Sequence, residues 1–278
     1  MLLLKENWPE TTGFIARNPG RKEFAMHRQI CIMLLLFVFF ACACSPRVKD
    51  VTEKDRLATT SYYRLAYDFY LNNDVPQAIK SLQEAEKYNP YDRDVKNLYG
   101  IIYLGKAMYD KAEASFKETV RIDPQFSDGY VGLAATYMAQ NRWQDAIDAL
   151  KKPSEDITYY RKDVVFDNLG WCQHMLGEND KALTSLKQAT MENPKNCHAY
   201  YNLGKVYRNL GQYPEAIEAL KTSVIRCDKF FYGYYELSLV AIKARDNTTA
   251  REALTKCIEL GSNSVEAREC EKYLKLMQ

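Results

Sequence analysis

For most of its length the chain alternates apolar and polar positions at helical spacing, and residues 197–230 carry the pattern most clearly. Tyr200, Leu203, Gly204 and Tyr207 fall on one face of a first segment, and Ala216, Leu220 and Val224 on one face of a second. Gly211 and Pro214 stand between them. Apolar residues three and four apart, bounded by glycine and proline, predict two short amphipathic helices. Neither can bury its apolar face alone. Shifting the template by 34 residues, and asking only for a small residue at place 8 and Ala at place 20, recovers five more copies.

The six units run 59–92, 93–126, 127–162, 163–196, 197–230 and 231–264, a repeat region of 59–264. Ala66, Gly100, Ala134, Gly170, Gly204 and Ser238 hold place 8, while Ala78, Ala112, Ala146, Ala182, Ala216 and Ala250 hold place 20. Small residues there let paired helices approach, large ones at places 4, 7, 11 and 24 fill the layers, and Pro at place 32 (Pro90, Pro124, Pro194) stops the second helix. The pattern is that of the tetratricopeptide repeat. It predicts an all-α superhelical solenoid of six helix-turn-helix repeats, with residues 265–278 (Val265, Tyr273, Leu274, Leu276) as a capping helix. One joint breaks phase: Pro153 at place 27 predicts an early helix end, the step to the fourth unit is 36 residues, and Ser154 to Lys162, with Tyr159 and Tyr160, reads as an irregular loop.

In solenoids of this kind places 2, 5, 9, 12 and 13 of each first helix line the inner, concave face. Here they supply Tyr63, Tyr67, Tyr70, Leu71, Ile101, Leu104, Val131, Ala135 and Met138, then Trp171, His174 and Met175. Aromatic and aliphatic residues at places the core does not require point to a protein-binding groove for an amphipathic helix or extended peptide. In the fifth repeat these places turn polar (His198, Tyr201, Lys205, Arg208, Asn209) and read as a solvated face, the alternative being a groove end that meets an acidic group. A clamp for a chain-terminal carboxylate is not expected. Asn97, Asn168 and Asn202 stand at or beside the required place, but Asp167, Tyr232 and Glu236 replace the accompanying cations.

Ahead of the repeats, residues 1–25 show no periodicity and read as an upstream extension before a start at Met26. Residues 26–44 combine a basic beginning (His27, Arg28), an uncharged run from Ile30 to Ala41, and Ala-Cys-Ala-Cys before Ser45. The run falls short of the roughly 20 residues of a membrane span but suits a secretory signal. Its end resembles a bacterial lipobox. Cys44 and Cys42 both qualify for lipidation, and small residues one and three places before the cut favour Cys44. The resemblance implies a lipid anchor, and the lack of Asp after either cysteine implies the outer membrane, facing the periplasm. Residues 45–58 are polar and charged, a tether from anchor to repeats.

A net charge of +2 without a basic tract argues against a nucleic-acid partner, and three scattered His with no Cys-x-x-Cys argue against a metal site. No phosphate loop, nucleophile elbow or His beside a nucleophile is present, so neither an enzyme, a cofactor nor a small-molecule substrate is expected. In antiparallel helices, places whose numbers sum to about 33 lie level. Cys197 (place 1) with Cys227 (place 31) meets this, and Cys257 (place 27) with Cys270 (place 40, counted on into the cap) sits level across the sixth repeat's junction; both are candidate disulfides in an oxidising compartment, which leaves Cys172 single if Cys44 carries the lipid.

A lipobox, a short tether, six repeats, an irregular joint after the third, Asp167-Asn168-Leu169-Gly170-Trp171 and a closing cap together resemble the type IV pilus pilotins over residues 42–277. The resemblance implies an outer-membrane lipoprotein that binds pilus secretin subunits and helps them reach the membrane and form a ring. The alternative is an envelope lipoprotein adaptor for cell-wall hydrolases or outer-membrane protein assembly.

Overall fold

A computed structural model describes residues 51–262 and 264–277, and among these there are thirteen helices and no strand. The extension, the signal region with Cys42 and Cys44, and the first part of the tether lie outside the described residues. From Glu53 on, that tether is helical, contrary to expectation: α1 (Glu53–Leu71) begins there rather than near residue 59. Thr52 and Asp55 form a capping box, each side chain accepting the other's backbone N–H at 3.1 Å, and so start the helix inside a stretch whose composition resembles a linker.

The paired helices follow in order: α1 with α2 (Val75–Tyr88), α3 (Arg93–Gly105) with α4 (Tyr109–Ile122), and α5 (Ser127–Ala139) with α6 (Trp143–Glu155). Then come α7 (Lys162–Met175) with α8 (Asn179–Glu192), α9 (Cys197–Asn209) with α10 (Tyr213–Arg226), and α11 (Phe231–Ala244) with α12 (Asn247–Gly261). The final helix, α13 (Val265–Leu276), packs on α12 and α11. Within every pair the chain reverses through one left-handed residue at place 15: Asn73, Ala107, Asn141, Gly177, Gly211 and Arg245, with φ between 55° and 79°. Glycine and asparagine adopt this conformation readily, whereas Ala107 and Arg245 carry a steric cost there.

Place 20 is fully buried in all six repeats, and place 24 is filled by Leu82, Phe116, Leu150, Leu186, Leu220 and Leu254, none more than 1% exposed. Each such side chain contributes about 1.5–3 kcal/mol of burial, which makes this layer the spine of the stack. Place 8 is small because the place-24 side chain lies against it. A Cβ on Gly100 would stand 2.7 Å from the Phe116 ring, and one on Gly204 2.4 Å from Leu220.

Pro153 does not end α6 early; the helix runs on to Glu155. Place 27 is buried in every repeat and takes Ala85, Thr119, Pro153, Ala189, Ser223 and Cys257, so proline acts there as one more small filler. It sits in the last turn, where the helix loses a single backbone bond rather than a run of them. The irregular joint is therefore confined to residues 156–161. Disulfides link Cys197 to Cys227, closing the fifth repeat on itself, and Cys257 to Cys270, fastening α13 to the sixth.

Each first helix touches the first helix of the next repeat, and α11 touches α13, while no two second helices are in contact among the described residues. The first helices consequently form the inner row and the second helices the outer one. No described helix is long and apolar enough to cross a membrane.

Candidate protein-binding face

The inner row sets the predicted residues along four successive helices. On α1, Tyr63 stacks on Tyr67 with ring centroids 6.4 Å apart, Tyr67 leans on Tyr70 at the same distance, and Leu71 stands 63% exposed at the helix end. On α3 and α5, Ile101, Leu104 and Met138 are half-buried and flank the central core, with Ala135 also half-buried beside them. On α7, Trp171 lies against His174 at 5.5 Å and Met175 is 44% exposed.

One expectation needs correcting. These places are not surplus to the core: Val131 is only 9% exposed and belongs to the central cluster, and Tyr63 and Tyr70 pack on the first. Neighbouring first helices lie close enough to wedge a place-5 side chain between them. The open apolar surface is accordingly carried by places 9, 12 and 13, above all Tyr67, Leu71 and Met175.

The lip at place 2 is acidic over the second and third repeats. Asp94 has its pKa raised, first by burial and further by Asp92, Asp123 and Asp128, against Arg93. Asp128 also latches the irregular joint. Tyr159, which is buried, donates to it at 2.6 Å, Arg161 lies 3.7 Å away, and Ser127 donates to Asp156 at 2.7 Å. Tyr160 beside them is exposed.

From the fourth repeat on, hydrogen bonds lace the inner face together. Asn202 donates to Asp167 at 2.7 Å, and burial of that carboxyl pushes its pKa up to about 6 despite the bond and the nearby His198. His174 Nδ1 lies 2.8 Å from Asn179 Oδ1 and its Nε2 2.9 Å from Asn209 Nδ2, an arrangement satisfied by one neutral tautomer. Arg208 pairs with Glu236. Asn202 and Arg208 are thus engaged within the chain.

Cys172 is buried between helices, and burial pushes its thiol up to about 12, so it fills space rather than presenting a thiolate. No group of three or more His, Cys, Asp or Glu among the described residues could hold a metal ion. The chemistry of the face is that of contact: apolar area, stacked rings and a few fixed hydrogen-bonding groups.

Sequence profiles described as TPR repeat (residues 174–211) and Tetratricopeptide repeat (63–125, 107–157 and 197–229) together match more than half of the chain. The chain belongs to the tetratricopeptide-repeat family. Among solved members of this fold it resembles PilW, a widely conserved type IV pilus biogenesis factor, at 21% identity and a TM-score of 0.70, covering 76% of this chain and 97% of that one. It resembles PilF of Pseudomonas aeruginosa at 16% identity and the same TM-score, covering 80% and 100%. At these identities the likeness establishes the fold. A curated relative, the BBSome complex member BBS4 of Bos taurus, is 24% identical over 142 residues, which is 51% of this chain but only 27% of BBS4.

Two features of this tetratricopeptide-repeat stack escaped the sequence reading. A cleft of about 620 Å³ opens at the inner face of the last repeat, lined by Arg208, Leu239, Ile242, Lys243 and, from α13, Glu269 and Tyr273. Leu239, Ile242 and Lys243 occupy places 9, 12 and 13, so the register that exposed the earlier groove residues would have found them. The second, about 690 Å³, lies on the outer side between α10 and α12 over Val224, Leu237 and Ala253. It depends on which second helices splay apart, and no periodicity reports that.

Proposed function

We propose that the chain is a lipid-anchored scaffold of the outer membrane, facing the periplasm, which holds pilus secretin subunits on its inner face and assists their delivery and ring assembly in the manner of a pilotin. The observation that carries this is the row of exposed apolar side chains, Tyr67, Leu71 and Met175, on helices that no other described helix covers on that side, joined by half-buried Leu104 and Met138. Apolar area left open along a row of helices suits an amphipathic or extended segment of another polypeptide. The likeness of fold to two type IV pilus proteins and the lipobox-like Cys42 and Cys44 support the setting. Two or three acyl chains would hold the protein at a bilayer essentially permanently, since each buried methylene contributes about 0.8 kcal/mol.

The test is photocrosslinking in the native envelope with benzoylphenylalanine at Leu104 or Met138 of the full chain, alongside metabolic labelling of Cys44→Ser and Cys42→Ser with an alkynyl fatty acid. Secretin adducts, loss of secretin rings when the protein is deleted, and loss of label in one cysteine variant are expected. Normal rings without the protein, and no secretin adduct, would overturn the reading. Adducts with a cell-wall hydrolase or outer-membrane insertion machinery would replace it with the adaptor reading.

A further inference from the structure

Lys205 is an inner-face cation whose surroundings the described residues do not complete. It stands at place 9 of the fifth repeat, half-buried, with its ammonium 4.1 Å from the ring centroid of Trp171 on α7 and 5.2 Å from that of Tyr201 one turn earlier. No carboxylate or other acceptor reaches it among the described residues. Glu236, whose charge acts on it, is itself paired with Arg208. Burial pulls the Lys205 pKa down, and Arg208 adds to this against the pull of Glu236. The rings beneath are held firmly: Trp171 leans on His174, which Asn179 and Asn209 fix from both sides, and Tyr201 packs edge-on against Phe230 at 5.1 Å.

An ammonium has three N–H donors and no use for a ring as an acceptor beyond its electrostatic attraction. Lys205 is thus positioned but not satisfied, at the point where the apolar row of the first four repeats ends. We propose that Lys205, seated on Trp171 and Tyr201, anchors a side-chain carboxylate of the bound polypeptide, an Asp or Glu whose apolar sequence neighbours lie over Met138 and Trp171. This rests on the inner face being the binding face and adds to it the chemistry and register of the partner. Charge decides for a carboxylate over a phosphate group: Lys205, Arg208 and Glu236 together leave one positive charge, which a single carboxylate balances and a dianion exceeds beside Glu236. Meeting its own acceptor also returns to the ammonium what burial removed.

The experiment selects random 12-residue peptides, fused through their C-termini so that no terminal carboxylate is free, on the full chain and on its Lys205→Met and Lys205→Glu variants. Lys205→Met keeps an unbranched stem on Trp171, and circular dichroism melts check each fold. The wild type should enrich segments with one Asp or Glu beside large apolar residues. Their affinity should fall tenfold or more on Lys205→Met, the Glu→Gln peptides should bind wild type and Lys205→Met alike, and Lys205→Glu should enrich Lys or Arg at the same register. If the wild type enriches apolar peptides with no acidic residue, or Lys205→Met binds the acidic ones unchanged, the anchor is wrong and the binding face stands. If the full chain enriches nothing, or the selected peptides crosslink only to second helices, both fall.

Discussion

Gly100 offers the sharpest test of how the repeats are held together, because its role is steric and its partner is known. A Cβ built on it stands 2.7–2.8 Å from three atoms of the Phe116 ring, which is fully buried and also meets Gly132. The ring cannot swing aside as the end of a flexible side chain would. Gly100→Ala therefore forces α3 and α4 apart or strains the ring, an overpacking cost of about 1–3 kcal/mol, offset by up to about 1 kcal/mol of helix propensity. The net expectation is a loss of about 1–2 kcal/mol, or a melting temperature lower by roughly 2–8 °C for a chain of this size. A leucine can give way where the ring cannot: Ala66 and Ala134 at place 8 sit with Leu82 and Leu150, all four buried, although Gly170 and Gly204 also face leucine, with a built Cβ 2.6 and 2.4 Å from Leu186 and Leu220. In a Phe116→Leu background Gly100→Ala should thus be neutral or stabilising, giving a coupling of about 1–3 kcal/mol in a double-mutant cycle followed by circular dichroism. An equal cost of Gly100→Ala in both backgrounds would refute the claim that the ring dictates the glycine.

Asp167 yields a pH-dependent prediction. Burial raises its pKa from 3.8 to about 6, so the folded state holds the proton more tightly than the unfolded chain, and this contribution is full below the unfolded value and lost as pH rises through 6. Asp167→Asn should then stabilise by about 1–3 kcal/mol at pH 7.5 and do little near pH 4, read from urea midpoints at both. Cys227→Ser removes a link across 30 residues and should cost about 3–4 kcal/mol, a difference that disappears when both proteins are melted in reductant. Ala107→Gly relieves a left-handed alanine at φ 55° and should stabilise by about 0.5–1 kcal/mol, whereas Gly211→Ala at φ 73° should destabilise by about 1–2 kcal/mol in the same thermal assay. Leu71→Asp and Met175→Asp, at exposed inner-face positions, should leave melting unchanged and weaken partner capture tenfold or more each; full capture by both variants would move the binding site elsewhere.

The fold was legible where one residue type answers one steric demand. Alanine at place 20 and leucine or phenylalanine at place 24 recur because a close helix crossing leaves a single way to fill that layer, and all of them are buried where the period puts them. The same periodicity misjudged both ends of the argument about breaks. Thr52 and Asp55 start a helix through a reciprocal pair of hydrogen bonds that composition does not register, and Pro153 sits harmlessly in a slot whose only requirement is small volume. On the inner face, register identified the right helices and places but not the depth of each side chain. Val131 and Met138 belong to one helix and read alike in the sequence, yet one is closed in by the next helix and the other remains half-open.

The junction of places 1 and 31 shows why chemistry is harder to read than packing. That level is closed in four successive repeats by four different means: an ion pair of Arg93 with Asp123, a hydrogen bond from Ser127 to Asp156 one place short, one from Asn193 to Asp163 at 2.9 Å, and the disulfide of Cys197 with Cys227. The physical demand is constant, to tie the start of a first helix to the end of its second, but several polar pairs meet it equally well. Only the cysteines announce their partner, because two thiols brought level have one obvious bond to make. Arg, Asp, Ser and Asn each have many, and only the register of neighbouring helices selects among them. The same asymmetry applies to Lys205: its neighbours Arg208 and Asn209 found partners inside the chain, and a cation in this row with ring faces beneath it and no acceptor among the described residues is where an outside group has most to add.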